Sequence, residues 1–547
     1  MKSHVAVSKY KFDLVLLTIL LIVGIKYIYG VSEYTDIALY DESIYLHSGL
    51  TLFQNGFPNL SFSPLYAIYY YILSIFQHDP IKLYYLNYIV LTAMMPVLFY
   101  LYLRMFGIFK LPSFFLSIIL LISNANYGLS PKVCIFALYI ILFSTIFIRY
   151  QNKTEYKFLL ACISLFIASF ARPEFMASFI IMFSIFAMYS IRCGFKYKNY
   201  TSLKMVLGLL FLASLSYLIM DGLPIFSKGG PERSFVAFGQ HFAINCVERS
   251  KINIDPWTNW EVAVRANFGS AKTIKQALMN NPAVFFLHIK QNIIRLPAVL
   301  FNMIGCRHNL ILPGNLTYWL NISLILIISL ALTIKLSKLL NKSFFLSIKA
   351  FFKKKIILLL FMSAAILPCI VSGALIYPAP PYLLLLVVMI LTIIGIFISS
   401  ITSEPNKLKL YISYSILFVF IVPCLSNSQP KYYLIYKETI QTIQNLHLTK
   451  SVNLLDIDGG YSHYLTSNFR WVLATKKNAN FDTFLLDKKI NMIVVSDRLN
   501  DNLKYRSDKK WSDFLSNYNK YGFNKIRIPG AQLCGYNKFI LLHNSLK

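Results

Sequence analysis

The sequence predicts an α-helical protein that crosses a membrane many times, and its composition is the first observation behind this prediction. Of its 547 residues, 56% are hydrophobic and 14% are charged, a balance that is rare in soluble domains. Apolar runs long enough to cross a bilayer recur along the chain. Short runs rich in lysine and arginine separate them, which is typical of cytoplasmic loops. The formal net charge of +30 therefore reflects membrane topology, and nucleic acid is not an expected partner.

About eleven apolar segments are predicted to cross the membrane, which gives a polytopic architecture. Because the basic residues collect in every second loop, the N-terminus is expected in the cytoplasm and the C-terminus outside it. The predicted spans cover residues 13–31, 82–103, 111–127, 131–150, 156–171, 174–191, 202–221, 316–339, 354–375, 382–400 and 408–426.

Two further apolar segments are expected to lie at the membrane surface. Residues 65–76 are too few to span and are dense in tyrosine, whose ring prefers the membrane interface. Residues 283–300 carry His288, Lys290 and Arg295. If that segment crossed, every later loop would change sides, and the basic loops would face outward against the usual charge bias.

This topology divides the chain into two domains. Residues 1–429 form a transmembrane domain with outer loops at 32–80 and 222–315, and residues 430–547 form a small extracytoplasmic α/β domain. The second domain is polar, and helical patterns in it alternate with strand patterns. The predicted helices are 432–446 and 511–521, and the predicted strands are 451–457, 491–495, 525–528 and 538–543.

Two adjacent carboxylates, Asp41 and Glu42, stand at the outer mouth of the first span, with Asp36 close by. Ionisable groups at a membrane boundary are costly to desolvate and usually mark chemistry or transport. A hydroxyl is a poor nucleophile until a base within hydrogen-bond reach takes its proton, and Asp41 is a candidate base. The alternative is that Asp41 only caps the helix that follows. Capping would leave Glu42 and Asp36 unexplained.

The acidic pair belongs to a longer pattern, in which Tyr45 and Gly49 follow the pair and Ser63-Pro64-Leu65-Tyr66 comes later in the same loop. This pattern resembles the first external loop of GT-C glycosyltransferases, in the superfamily of protein mannosyltransferases and lipid A aminoarabinose transferases. The resemblance implies an inverting membrane enzyme with a polyprenyl-phosphate-linked sugar as donor. The acceptor would be a hydroxyl of a cell-envelope glycan, lipid or protein.

The same resemblance implies roles for individual residues. Asp41 stands where the family has its general base, and Glu42 would orient the acceptor, tune the base or bind a cation. A divalent metal therefore stays open, although the sequence contains no spacing typical of metal ligands. Tyr45 and Tyr66 are further candidates for the site.

Positive charge near the base would stabilise a phosphate leaving group. Arg172, in an Arg-Pro-Glu element similar to one in bacterial relatives, is the first candidate, because a guanidinium binds phosphate well. It can equally be an anchor at the membrane interface. Lys132 and Arg233 are the other phosphate candidates. His288 and Asn292 are the last candidates, because they lie one helical turn apart and would share a helix face.

Two alternatives to a glycosyltransferase stay open at this point. A transporter or flippase of lipid-linked sugars would place ionisable groups near the bilayer midplane, whereas the acids here lie in outer loops. An O-antigen polymerase or ligase would rely on basic residues in outer loops, which Arg172 and Arg233 provide. Relatives often carry an arginine in the loop at 377–382, and this chain has none there. Frequent lysine, isoleucine and asparagine indicate a bacterial source, so the expected location is the inner membrane.

Overall fold

The computed structural model describes most of the chain, and the part described is mostly helical with one small sheet near the C-terminus. The predicted spans 316–339 and 408–426 lie outside the described residues. The described ranges are residues 2–198, 200–221, 233–249, 252, 254–305, 342–402, 434–533 and 537–546.

Helices make up the described part of the first domain. They are α1 (Lys2–Ile28), α2 (Val31–Tyr34), α3 (Asp41–Leu50), α4 (Leu52–Asn55), α5 (Pro64–Ser74), α6 (Pro80–Met105), α7 (Lys110–Ile122), α8 (Val133–Tyr150), α9 (Thr154–Ser169), α10 (Phe175–Tyr197), α11 (Thr201–Asp221), α12 (Arg233–Glu248), α13 (Trp260–Phe268), α14 (Ile274–Asn280), α15 (Pro282–Ile304), α16 (Lys342–Leu375) and α17 (Pro380–Thr402). Helix α16 is interrupted by non-helical backbone at Lys355.

Six described helices are long and apolar enough to cross a membrane, and this makes the chain a helical membrane protein by length and composition. Three shorter helical segments are also apolar. The candidate spans are Lys11–Tyr34, Pro80–Met105, Val133–Tyr150, Phe175–Tyr197, Pro282–Ile304 and Lys355–Leu375, and the shorter segments are Lys110–Ile122, Thr201–Ser216 and Pro380–Ile396.

Helix α15 covers residues 283–300, which are predicted to form a helix on the membrane surface. In the structure the helix runs from Pro282 to Ile304, 23 residues in all, and its place on the surface stays a prediction. That length and its apolar composition are sufficient for a span. The predicted surface helix at 65–76 is present as α5, with 11 residues from Pro64 to Ser74.

Helix starts are specified locally by capping residues and proline. Asp79 accepts a hydrogen bond from the Lys82 N–H at 2.8 Å, and Pro80 occupies the first turn of α6. Asn281 caps α15 in the same way: its Oδ1 accepts a hydrogen bond from the Val284 N–H at 3.2 Å, and Pro282 occupies the first turn. Proline suits this position because the first helical N–H groups have no acceptor within the helix.

The C-terminal domain contains a five-stranded mixed sheet. Its order is β2-β1-β3-β5-β4, with β1 parallel to both neighbours and β5 antiparallel to both of its own. The strands are β1 (Val452–Asp456), β2 (Phe469–Leu473), β3 (Met492–Val495), β4 (Phe523–Arg527) and β5 (Phe539–His543), and the helices are α18 (Ile435–Gln444), α19 (Phe481–Asp487), α20 (Asp497–Asp501), α21 (Leu503–Arg506), α22 (Lys509–Asn517) and α23 (Pro529–Leu533).

The structure confirms the four predicted strands, which are β1, β3, β4 and β5, and both predicted helices. Strand β2 was not predicted. The second helical pattern is α22 followed by a 3₁₀ turn that ends at Gly522, whose φ of 77° suits glycine. Strand β2 is short and has an exposed arginine, Arg470, at its second position. The division of the chain into a transmembrane domain and an extracytoplasmic domain stays a prediction.

Helices α3 and α5 lie against each other between α2 and α6, in the predicted first outer loop, and Gly49 allows their close approach. A Cβ added at Gly49 would stand 2.5 Å from the Tyr70 Cβ and 2.9 Å from the Ala67 carbonyl oxygen. Both neighbours belong to α5 and one is backbone, so the helices themselves would have to separate. Because Asp41 opens α3, this packing positions the acidic pair.

We expect Gly49→Ala to lower the free energy of unfolding by about 1–3 kcal/mol, as overpacking of a tight contact does. The measurement is thermal unfolding of the purified protein in detergent. Gly208→Ala is the matched control, since a Cβ there meets no atom within 4 Å. If both variants unfold at the same temperature as the wild type, the close packing of α3 on α5 is not a stability determinant.

Candidate functional site

Asp41 is the exposed member of the acidic pair. It is the first residue of α3, and its side chain is 51% exposed. Tyr40 occupies the N-cap position and makes no side-chain capping bond. The alternative of Asp41 as the N-cap is therefore wrong by one residue, although a carboxylate in the first turn still suits the helix dipole.

Arg233 faces Asp41 from the second outer loop. Its Nη2 lies 3.5 Å from the Asp41 Oδ1, and its guanidinium lies 4.3 Å from the centre of the Phe62 ring. Both charged side chains are more than a third exposed, so the ion pair contributes little to stability. An exposed carboxylate beside an exposed guanidinium is instead available to a ligand.

Tyr45 lies beneath this pair, one helical turn after Asp41. Its side chain is buried and hydrogen-bonds with Arg233 and Ser63. Burial raises the pKa of Tyr45, and the charge of Asp41 adds to that effect. The hydroxyl is therefore a neutral group that fixes Arg233 beside Asp41.

Glu42 points the other way, into the protein. It is 1% exposed, and its Oε1 accepts hydrogen bonds from Tyr66 and Tyr70 at 2.8 and 2.5 Å. Asn87 also donates to Oε1, at 3.2 Å, and the Lys132 backbone N–H donates to Oε2 at 2.6 Å. Burial raises the pKa of Glu42, while the donated hydrogen bonds oppose the rise. Tyr66, a predicted site residue, belongs to this buried network.

Lys132 is also buried, at 1% exposure. Its Nζ donates to the carbonyl oxygens of Asn126 and Tyr127 at 2.9 and 3.2 Å, and lies 3.8 Å from the centre of the Tyr88 ring. These contacts satisfy the ammonium inside the protein. The predicted role of Lys132 in binding a donor phosphate gains no support from them and stays a prediction.

Arg172 lines a small, mostly apolar cleft with a cavity volume of about 20 Å³. Its Nε donates to the Glu174 Oε1 at 2.7 Å, its Nη1 contacts the Cys134 sulfur, and its guanidinium lies 5.3 Å from the Tyr382 ring centre. The apolar cleft-lining residues are Ala137, Leu138, Phe175, Pro381, Leu384 and Leu385.

The Asp36 carboxylate binds to the C-terminal domain. Its carboxylate accepts hydrogen bonds from the backbone N–H groups of Tyr436 and Lys437, at 2.8 and 3.0 Å, in the first turn of α18. Burial raises the pKa of Asp36 to about 6, and the backbone hydrogen bonds oppose the rise. Asp36 therefore attaches the C-terminal domain to the first outer loop.

His288 and Asn292 lie on one face of α15, as their spacing predicted. Asn245 of α12 donates from its Nδ2 to the Asn292 Oδ1 at 3.0 Å and contacts the His288 Nδ1 at 2.8 Å. The Asn292 Nδ2 donates to the Ala374 carbonyl oxygen at 2.9 Å. Both predicted site residues are fully buried and connect α12, α15 and the end of α16.

The C-terminal domain reaches the site at a point that sequence reasoning missed. The Tyr40 N–H donates to the carbonyl oxygen of Gly459 at 2.9 Å, and the Arg498 guanidinium lies 5.3 Å from the Tyr40 ring centre. Gly459 and Gly460 follow the end of β1 at Asp456, and both have positive φ. Burial raises the pKa of Asp456 to about 8. Nothing in the sequence pairs Arg498 with Tyr40.

Among the described residues there is no group of three or more His, Cys, Asp or Glu side chains placed to hold a metal ion.

Comparisons with known proteins add no family or relative. A scan against protein-family models found no match to the chain, and a search of curated proteins found no significant match either.

The two members of the acidic pair should differ sharply in their effect on stability. In Glu42→Gln, an NH₂ group replaces one of the two carboxylate oxygens. At least one of the four groups that donate to Glu42 would then face another donor. We expect a loss of about 1–3 kcal/mol in the free energy of unfolding. Asp41→Asn, half exposed, should change it by less than about 0.5 kcal/mol. Thermal unfolding in detergent measures both; equal effects would contradict the buried network around Glu42.

Proposed function

We propose that this protein is a membrane glycosyltransferase of the GT-C type. It transfers a sugar from a polyprenyl-phosphate donor to a hydroxyl of a cell-envelope glycan, lipid or protein, with inversion. The observation that carries the proposal is the exposed Asp41 carboxylate, placed beside Arg233. The motif around Asp41 and Ser63-Pro64-Leu65-Tyr66 resembles that family.

In this proposal Asp41 is the general base. It takes the proton of the acceptor hydroxyl as the oxygen attacks the anomeric carbon of the sugar. The bond from that carbon to the phosphate oxygen breaks, and the phosphate leaves with the bonding electrons. Exposure of Asp41 supports the role, because a base must be reachable by its substrate. The buried Glu42 holds the helix that presents Asp41.

In this proposal the phosphate end of the lipid donor binds at Arg172, beside the small apolar cleft that this residue lines. Its walls are apolar side chains of α8, α10 and α17, and its polar end is one guanidinium held by Glu174. A lipid chain and a phosphate require these two surroundings side by side. The leaving phosphate gains negative charge in the transition state, so a fixed cation stabilises that state more than the ground state.

The proposed orientation places this site on the outer face of a bacterial inner membrane. The distribution of basic residues supports it, since they lie in the loops assigned to the cytoplasm. The C-terminal domain contacts the first outer loop through Asp36 and Gly459, so the two lie on the same side.

An O-antigen polymerase or ligase is the second candidate, and Arg233 favours it specifically. Such an enzyme depends on outer-loop arginines, and Arg233 lies in the site in contact with Asp41. The two candidates differ in which charge is essential. Loss of activity in Arg233→Lys with full activity in Asp41→Asn would favour the polymerase or ligase.

Asp41→Asn should abolish transfer while the protein stays inserted and folded. The amide keeps the shape of the side chain but cannot take a proton, and loss of a general base typically costs about 10²–10⁴ in rate. Mass spectrometry of envelope glycans, from cells with wild-type, variant or no protein, measures the effect and identifies the sugar. Glu33→Gln removes an exposed charge nearby and is the control. Wild-type glycans in the Asp41→Asn strain would exclude Asp41 as the base.

Arg172→Lys should retain partial activity, and Arg172→Ala should lose most of it. Lysine keeps the charge but not the planar fork that binds two phosphate oxygens. Both variants are assayed with the lipid-linked donor that the wild type uses, and a contact made in the transition state lowers kcat. Arg192→Ala, exposed near the other end of α10, is the control. Near-normal kinetics in both Arg172 variants would make Arg172 an interfacial anchor.

A further inference from the structure

Tyr40, the residue before Asp41, has an unusual backbone conformation. Its φ is 57° and its ψ is −130°. A residue with a side chain rarely adopts positive φ, and such a conformation persists only where the surroundings hold it. Because the Tyr40 backbone sets where α3 begins, whatever holds Tyr40 also determines where the Asp41 carboxylate points.

The C-terminal domain supplies the groups that hold Tyr40. The carbonyl oxygen of Gly459 accepts the Tyr40 N–H at 2.9 Å. Gly459 has a φ of 72°, and a Cβ there would lie 3.1 Å from the Trp471 ring and 3.6 Å from the Tyr40 ring. The Tyr40 carbonyl oxygen accepts the Ser43 hydroxyl at 2.7 Å, and that hydroxyl also contacts the His463 Nδ1 at 3.0 Å.

Arg498 covers the Tyr40 ring and is itself fixed from two sides. Its guanidinium carbon lies 5.3 Å from the ring centre, within the range of a cation–π interaction. Its Nε donates to the Asp255 Oδ2 at 3.1 Å, and its Nη1 lies 3.9 Å from the Asp458 Oδ1. Arg498 therefore joins the C-terminal domain to both outer loops at the residue that precedes Asp41.

The contacts with Tyr40 come from residues that follow two neighbouring strands of the sheet. Strands β1 and β3 are parallel. After β1 the chain continues to one side of this pair, at β2, and after β3 it continues to the other side, where β4 and β5 lie. In open α/β sheets, ligands bind in the crevice at the carboxyl ends of such a strand pair. Here Gly459 follows β1 and Arg498 follows β3, and both contact Tyr40. In this protein, the segment that contains Tyr40 lies at the carboxyl ends of β1 and β3, where other α/β sheets bind a ligand.

We propose that the C-terminal domain positions the Asp41 carboxylate by holding Tyr40, with Gly459 and Arg498 as positioning residues. The proposal rests on the role of Asp41 as general base under the proposed function. Neither residue contacts the reacting atoms. A base that is displaced by about 1 Å can lose on the order of 10²-fold in rate without any change in substrate binding.

The test compares full-length wild type, Arg498→Gln and Tyr40→Leu with two measurements. Hydrogen exchange followed by mass spectrometry reports the segment that contains the Tyr40 amide, and steady-state kinetics report kcat and donor KM. We expect exchange of that segment to be about tenfold faster in both variants, because a ring contact has been lost. We expect kcat to fall about 10- to 100-fold, with donor KM unchanged.

Two control variants separate positioning from general damage. Arg470→Gln removes an exposed arginine from β2 of the same domain and should match the wild type in both measurements. Asp255→Asn weakens the second contact of Arg498 but leaves its place over Tyr40, so it should change kcat less than Arg498→Gln does. A rise in donor KM or a general rise in exchange would indicate damage beyond Tyr40, and would overturn the assignment.

The remaining outcomes also decide the proposal. Faster exchange with wild-type kcat would show that the contact does not position Asp41, and unchanged exchange would show that the contact does not hold Tyr40. Both overturn the proposal. If the wild type transfers no sugar, the proposed function fails by itself. Exchange then decides whether the C-terminal domain holds Tyr40, since that measurement requires no activity.

Discussion

The buried carboxylate of Glu42 is the interaction on which the rest of the site depends. Four donors surround it: two hydroxyls from α5, one amide from α6 and one backbone N–H from the residue before α8. A buried charge or carboxyl is costly unless such donors satisfy it, so none of these segments can move away without a penalty. The network therefore fixes α3 against three other helices.

This arrangement explains how two adjacent acids can have different roles. Neighbouring residues on a helix point about 100° apart, so the side chains of Asp41 and Glu42 diverge. Glu42 enters the core, where burial raises its pKa, and Asp41 stays half exposed beside Arg233. Pairs of carboxyl groups whose surroundings differ in this way are typical of sites that divide chemical roles. Under the proposed function, Glu42 supports the helix and Asp41 reacts.

The sequence was sufficient for the elements whose signals are local. Long apolar runs predicted five of the six candidate spans, alternation of strand and helix patterns predicted most of the C-terminal sheet, and one-turn spacing predicted that His288 and Asn292 share a face. The acidic pair and Arg233 were both selected as site candidates, but their 3.5 Å contact joins residues almost two hundred positions apart. Sequence patterns contain no information at that range.

The predictions without support share a physical cause. Asp36 and Lys132 are charged residues near the membrane boundary, which is a fair sign of function. In the structure, backbone groups satisfy both of them: Asp36 accepts N–H groups of α18, and Lys132 donates to carbonyl oxygens. Composition alone cannot distinguish a charge that binds a ligand from one that binds the backbone. Strand β2 was missed because an exposed Arg470 interrupts its apolar run.

The position of Arg172 accounts for the arginine that the loop at 377–382 lacks. That loop lies where relatives of the proposed family carry an arginine near a tyrosine, and here it ends at Tyr382. The guanidinium of Arg172, which comes from the segment before α10, lies over the Tyr382 ring. A cation therefore stands beside that tyrosine although the loop does not provide it. What a phosphate requires is fixed positive charge at a given place, and the fold can bring that charge from a different helix.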